Sequence, residues 1–544
     1  MSETSSAAPL ASRIASLVHA HFDALPARSK PKIFPDGSRE WIPMTGIVAV
    51  KGLQYNDLTI GNTRSESLHC ISVTSGAKCL PASHVPRCQG LVLHDCHAEI
   101  LAIRAFNYWL LTECHALLIE ESKNTINIDQ ALGVEDIHIS KSPFIRRRQP
   151  APQGTSTSTP SVNWPPFEIQ PDVKFYMYCT CAPCGDASME LCMAAQEDAT
   201  PWEVTRHTDM SPTDQDDLQE ENLLDGRAHF SLLGVVRRKP ARMDAESTRS
   251  KSCSDKLALR QVSSLLSCET SRLVSPTENV YLAGLVLPED EISRVGCERA
   301  FGENGRMRGL AGRSWPINMD HDGSATGYRF RPFEVLSVPA EEVEALWPFA
   351  KPKAVQTRSV LPHEGQSDGT DSTVVLKKSK PGNVSSIWTA ASSLPHPCVM
   401  TMDTGSKNLP NLGRSRTGLY ETIINGVKQG NRLATPTARG ASSLSRAKLW
   451  GLLRNILRST ECLREYESQS LEEDNDPLRS IKDASSYEDF KRTGGDVTDP
   501  HHIRQEAMRD AKNVLKGWAP NTGDEGWNLD VLVDSKKRKS EGVQ

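Results

Sequence analysis

Two short stretches of this chain gather the residue types that hold a soft divalent metal and move a proton beside it. The first, His94-Asp95-Cys96-His97-Ala98-Glu99, sets an imidazole two residues before a carboxylate. Inside a helix such a pair would point about 200° apart and could not serve one centre. Here the pair stands where a helical pattern begins, with Ile100, Ile103, Phe106, Trp109, Leu110 and Leu117 on its apolar face, so both side chains can still converge. The second stretch, Tyr178-Cys179-Thr180-Cys181-Ala182-Pro183-Cys184-Gly185-Asp186-Ala187, lies between a strand pattern at 173–180 and a helical one at 189–195. That predicts Cys184 near a helix N-terminus, where the dipole favours the thiolate that coordinates zinc. Taken alone, the three cysteines also fit buried small side chains or half of a structural zinc site.

The two stretches together are close to His-x-Glu…Pro-Cys-x-x-Cys, the pattern of zinc deaminases, in which the glutamate is not a ligand. One position departs. Ala187 stands where the last cysteine of that pattern belongs, so a third ligand must come from elsewhere, with Cys179 and Cys181 as nearby alternatives. Three protein ligands would leave one tetrahedral position for water, which zinc makes acidic enough to attack near neutral pH.

Far downstream stands Ser252-Cys253-Ser254-Asp255-Lys256. His-Ala-Glu, Pro-Cys-Gly-Asp-Ala and Ser-Cys-Ser-Asp-Lys, in this order, resemble the adenosine deaminases that act on RNA. That family includes the double-stranded RNA editors and the eukaryotic tRNA-specific enzymes. Matching motifs run from Gly46 to about Trp527, interrupted by unmatched insertions. The resemblance implies an α/β (α+β) fold with a cytidine-deaminase-like central sheet, flanked by helices and extended by C-terminal ones. It implies one catalytic zinc on His97, Cys184 and Cys253, with Glu99 shuttling protons as adenosine is hydrolysed to inosine.

Within the family the tRNA branch fits better. Only about 45 residues precede the first strand, too few for a separate RNA-binding domain of 50 or more. Val235-Val236-Arg237-Arg238-Lys239-Pro240 and Gly517-Trp518-Ala519-Pro520-Asn521-Thr522-Gly523-Asp524 resemble fungal members of that branch. Those usually carry Gly where this chain has Ala241, which leaves the role of Arg242 open. The implied substrate is tRNA, at the adenosine 3′ of the anticodon in alanine tRNA. Editing of other RNA, deamination of free adenosine or cytidine, and a non-catalytic zinc-containing RNA-binding protein are the competing readings.

The resemblance also implies inositol hexakisphosphate enclosed behind the zinc, since several buried Lys and Arg need a counter-charge. Position by position, its contacts are Arg104, Lys256, Arg446, Tyr487, Lys491, Lys512 and Trp518, with Asp95 and Lys239 relaying hydrogen bonds towards the zinc. One phosphate-contacting Asn of the family is His94 here. Tyr487 and Lys491 have the spacing of neighbours on one helix face. Candidate RNA-phosphate contacts are Arg146, Arg147 and Arg148, which equally suit a solvated insertion edge, and Arg237, Arg238 and Lys239.

The elements that must position these residues are legible in outline. A helix is expected over 9–25, strands within 45–93 (notably 46–50 and 68–73), a helix over 99–118, and C-terminal helices over 442–464 and 503–517. Low-complexity insertions are expected near 147–166, 208–222 and 355–383. The organisation expected is one domain spanning 1–544, with its core at about 46–530 and a basic tail over 531–544. Apolar residues are 38% of the chain and charged ones 24%, and the net charge of -5 requires any nucleic-acid surface to be a local patch. No secretory signal or membrane span is visible, so an intracellular place (nucleus, cytoplasm or both) and reduced cysteines, 14 in all, are expected. Lys536-Lys537-Arg538-Lys539 suits a nuclear import signal or a solvated tail equally. No protein partner is identifiable.

Overall fold

The computed structural model describes residues 8–52, 66–130, 141–148, 164–195, 224–226, 232–239, 245–319, 325–352, 379–394, 418–459, 481–492 and 499–533. The acidic stretch at 208–222, Ala241, Arg242, the tail cations at 536–539 and most of the other two insertions lie outside them.

Near-continuous burial along the central strands requires helices on both faces of one sheet. Strand β1 (Met44–Lys51) pairs antiparallel with β2 (Ser67–Ser75) on one side and with β3 (Val173–Cys179) on the other. Parallel β4 (Leu282–Pro288) and β5 (Glu334–Val338) extend the β3 side, while antiparallel β6 (Ser385–Thr389), β7 (Tyr420–Ile424) and β8 (Val427–Lys428) extend the β2 side. The order is β5-β4-β3-β1-β2-β6-β7-β8, a mixed sheet flanked by helices, as the sequence predicts. Ile47, Ala49, Phe175, Met177, Leu285 and Leu287 face α2 (Ala98–Gln130). The intervening Val48, Val50, Tyr176, Tyr178 and Val286 face α1 (Leu10–Asp23). Alternate residues of a strand point to opposite faces, so near-continuous apolar runs are what a doubly covered sheet requires. Helix α1 lies so close that a Cβ on Gly46 would come within 2.6 Å of Val18.

Helix α2 is longer than its expected span of 99–118, and its buried Leu101, Ala102, Ala105, Phe106, Trp109 and Leu110 anchor it in the core. Behind it stand α3 (Cys253–Ser263), α4 (Arg446–Ser459), α5 (Tyr487–Arg492) and α6 (Pro500–Val514). The last two expected C-terminal helices are thus α4 and α6, each shifted by a few residues. Among the described residues no helix is long and apolar enough to cross a membrane.

Candidate metal centre

Three separate elements deliver the expected ligands to one point. His97 ends a short strand, Asp95–His97, paired with Ala77–Cys79 so that His97 faces Ala77. Helix α2 begins at the next residue, so Glu99 sits in its first turn while the backbone is still turning. Cys184 lies on the loop leaving β3, and Cys253 is the first residue of α3, with Ser252 as its N-cap accepting from the Asp255 N–H. His97 Nδ1 is 3.6 Å from Cys253 Sγ and 3.8 Å from Cys184 Sγ. Ligands on a tetrahedral zinc, with bonds of about 2.0–2.3 Å, stand about 3.5–3.8 Å apart. The donor set therefore fits the ion in both chemistry and spacing. Cys253 is fully buried, whereas His97 and Cys184 are half-buried and form the open side.

The two cysteine loops are laced to each other. Ser254 Oγ donates towards the carbonyls of Pro183 (3.2 Å) and Cys184 (3.0 Å), and it accepts from the Ala187 N–H at 3.1 Å. Gly185 has φ of 102°, and a Cβ there would run into the Ser252 side chain. Only glycine lets the chain turn between the two thiols without strain.

The helix dipole expected at Cys184 works differently from the sequence reading. A 3-10 turn, Asp186–Ser188, separates Cys184 from the next helix, Met189–Ala194. The helix start that serves the thiols is that of α3: the Cys253 N–H, at its N-terminus, donates to Cys184 Sγ at 3.4 Å. The Cys253 thiol, Lys239 and His97 hold the Cys184 thiol well below its usual range.

Asp95 and Lys239 also meet, as the resemblance implies. Lys239 Nζ donates to both Asp95 oxygens (2.9 and 3.1 Å) and to Cys253 Sγ at 3.3 Å, with Lys239 4% exposed. Lys256 makes a second ion pair with Asp95, and the carboxylate also accepts from the His97 N–H at 3.0 Å. Burial pushes the Asp95 carboxyl up, but Lys239 and Lys256 outweigh it and hold the group well below the carboxylate range.

Glu99 is 3% exposed and its Oε2 has no hydrogen-bond partner among the described residues. Burial raises its pKa. An unpaired buried carboxylate is costly, and a poised proton carrier is the usual reason to keep one.

The other expected basic residues fall into an electrostatic cluster and a nearby cavity. Arg104 and Arg446 lie close enough for mutual repulsion, and Tyr487 lies beside both. Arg104 Nε donates to the Leu444 carbonyl at 2.9 Å and Tyr487 to Glu269 at 3.4 Å. Lys491, Lys512 and Trp518 line a cavity of about 380 Å³, and Tyr487 lies 5.6 Å under the Lys491 ammonium. Three cations escaped the sequence reading. Arg260 is pushed down to about 9 by burial, Arg504 and Arg104, and Lys251 to about 7 by burial and by Lys256, Arg238 and Lys512. Arg504, 6% exposed, lines the same cavity, and its Nε has no partner among the described residues. Their signal was present as helical spacing: Arg260 lies four residues beyond Lys256, and Arg504 two turns before Lys512. His94, in place of the family's Asn, pairs with Asp524 at 2.9 Å, and Asp524 lies 3.5 Å from Arg446.

The expected RNA-phosphate contacts do not stand free. Arg146 and Arg147 pair with Glu168 and Glu121, Arg148 donates to the Pro165 carbonyl, and Arg238 pairs with Asp225. Arg237, 1% exposed, is held by the Gly226 and Leu232 carbonyls, and Lys239 is buried on Asp95. Arg237 and Lys239 are therefore internal struts and not a surface, because their charges are needed to neutralise groups in the core.

Residues 72–135 and 149–313 match the adenosine-deaminase (editase) domain. The matched residues make up under half of the chain. It is 35% identical over 316 residues to the tRNA-specific adenosine deaminase 1 of Schizosaccharomyces pombe, covering 58% of this chain and 64% of that protein. Over 284 residues it is 30% identical to the Saccharomyces cerevisiae protein of the same name, covering 52% and 60%. It is 26% identical over 162 residues to the rat double-stranded RNA-specific editase B2, covering 30% and 15%. The matched part spans under two thirds of either yeast relative.

Proposed function

We propose that this protein hydrolyses adenosine to inosine in tRNA, using a zinc ion held by His97, Cys184 and Cys253. The observation that carries the reading is the convergence of those three ligand atoms near the buried Glu99, whose Oε2 has no hydrogen-bond partner among the described residues. The names of the yeast relatives supply the substrate class.

A bound zinc supplies the acidity that makes water a nucleophile near neutral pH. Glu99 does the proton work. Its carboxylate accepts the proton released as water attacks C6 and delivers it to the purine ring nitrogen. It then takes the remaining proton from the new C6 hydroxyl and passes it to the departing amine, so adenosine and water give inosine and ammonia. Lys239 donates to Cys253 Sγ and keeps that ligand's charge compensated. An adenine must leave its stack to reach this pocket, and a loop makes that cheaper than a duplex does. The adenosine 3′ of the anticodon in alanine tRNA is the target this reading favours.

The cavity lined by Arg504, Lys491 and Lys512, with Arg104, Arg260 and Arg446 clustered electrostatically beside it, fits a polyanion. Without one, burial and mutual repulsion push Arg104, Arg260 and Lys512 down, and Arg504 Nε meets no acceptor among the described residues. Inositol hexakisphosphate is the ligand proposed, and Asp95 and Lys256 connect its chamber to Lys239 and the centre.

The deciding experiment incubates zinc-loaded protein with total tRNA and maps new inosines by sequencing. One new inosine beside an anticodon is expected, and none with Glu99→Gln, which still binds zinc. No inosine from the wild-type protein overturns the reading. Native mass spectrometry and phosphate analysis test the polyanion, and purified protein free of inositol phosphate ends that part of the proposal.

A further inference from the structure

Arg146, Arg147, Arg148 and Arg238 are engaged by acids or a carbonyl of this chain and Arg237 and Lys239 are buried, so an RNA-deaminating chain of net charge -5 needs further cations to hold its polyanion. Two segments beside the metal centre are cationic throughout. Residues 77–89 carry Lys78, His84 and Arg87 and no acid, and residues 427–440 carry Lys428, Arg432 and Arg439 and no acid.

Both segments are tied to the open side of the centre. Lys78 lies opposite Cys96 and next to the Ala77–His97 pair, which puts its backbone within ~10 Å of the ligands. The 3-10 turn Ala82–Arg87 follows directly. Val427 and Leu433 of the second segment share an apolar cluster with Leu80, Val85 and Cys88 of the first, so the two lie against each other. Arg249, four residues before Cys253, borders the same rim: it donates to Thr522, and both Arg249 and Val85 approach Gly523. Among the described residues of this rim the exposed carboxylate is Glu246, and it accepts from the Ser83 N–H at 3.2 Å.

Arg87, Arg432 and Arg439 are exposed and have no ion-pair partner among the described residues. Lys428 differs, being paired with the buried Glu421 at 3.1 Å. Exposed guanidinium groups without carboxylates ordinarily alternate with acids on a soluble surface. A run of them around a catalytic opening is the electrostatic footprint of a phosphate backbone.

We infer that the paired segments 77–88 and 427–440 form the docking rim for the substrate RNA, with Arg87, Arg432 and Arg439 contacting backbone phosphates while an adenine enters past Lys78. The inference rests on the deaminase reading and names the surface that reading lacks.

The test measures binding directly, so that it stands apart from catalysis. A fluorescent alanine tRNA transcript is titrated with Arg87→Ala/Arg432→Ala/Arg439→Ala, with Lys380→Ala as a control away from the rim, at several NaCl concentrations. A phosphate contact contributes ~0.7–0.9 to the slope of log K against log salt, or roughly a 4- to 6-fold change in Kd at physiological salt. The triple variant should lose on the order of 100-fold in affinity and about two units of salt slope, with the control unchanged. Because all three side chains are exposed, its melting temperature should match the wild type, which separates a lost surface from a lost fold. Unchanged Kd and unchanged slope overturn the rim, and the cations then serve another partner, such as an acidic protein, even if the wild type makes inosine. A wild type that binds tRNA through the rim but makes no inosine would sink the deaminase reading and leave the rim standing.

Discussion

Replacing Lys239 with methionine keeps the length of the side chain and removes its charge. The structure sets the size of the effect. Lys239 is 4% exposed and gives three hydrogen bonds, two to Asp95 and one to Cys253 Sγ. Removing one partner of a buried ion pair costs about 3–5 kcal/mol, most of it the price of leaving the other charge bare. Asp95 keeps Lys256 and the His97 N–H, so the lower end, about 3 kcal/mol, is expected in urea unfolding. The lost donor to Cys253 should weaken zinc binding about 10- to 100-fold, read by competition with a chromophoric chelator. Lys239→Met/Asp95→Asn should be more stable than the sum of the two single variants predicts, because it leaves less unpaired charge in the core. If Lys239→Met unfolds within about 0.5 kcal/mol of wild type and holds zinc as tightly, Lys239 is not the strut described.

Glu99→Gln should lower the single-turnover deamination rate at least about 100-fold while zinc content stays at wild type, since the group moves protons and is not a ligand; a near-normal rate would remove Glu99 from the mechanism. Gly185→Ala forces a side chain into φ of 102° and onto Ser252, costing about 2–5 kcal/mol and reducing zinc occupancy together; wild-type melting and full occupancy would contradict the close approach of the two loops. His19, 1% exposed, meets the Tyr178 hydroxyl at 2.8 Å, and burial lowers its pKa from 6.5 to about 4. Because the folded value lies below the unfolded one, the neutral ring contributes stability above pH 6.5. That contribution drains away as pH falls towards 4, by up to about 3 kcal/mol. His19→Phe should flatten the urea stability profile in that window, and an equally steep profile would place the acid sensitivity elsewhere.

What the sequence by itself determined was local. The strands at 46–50 and 68–73, the helix after Glu99 and the helices within 442–464 and 503–517 were legible because period-2 and period-3.6 patterns are written in neighbouring residues. His97, Glu99 and Cys184 were legible as types at suitable spacings. The third ligand was not: Ala187 left Cys179, Cys181 and more distant cysteines open, and resemblance alone favoured Cys253. Tertiary structure brings Cys253 to the His97 side and buries Cys179 against Thr45 instead. It also moved the useful helix N-terminus from the segment after Cys184 to α3. Charge was the least legible property of all. Arg237 and Arg432 are equivalent letters in a sequence, yet one is sealed among carbonyls and the other stands in solvent. Whether a cation is a buried strut, lines a cavity or stands on the surface depends on which distant carboxylates the fold brings near it, and only the packed chain decides that.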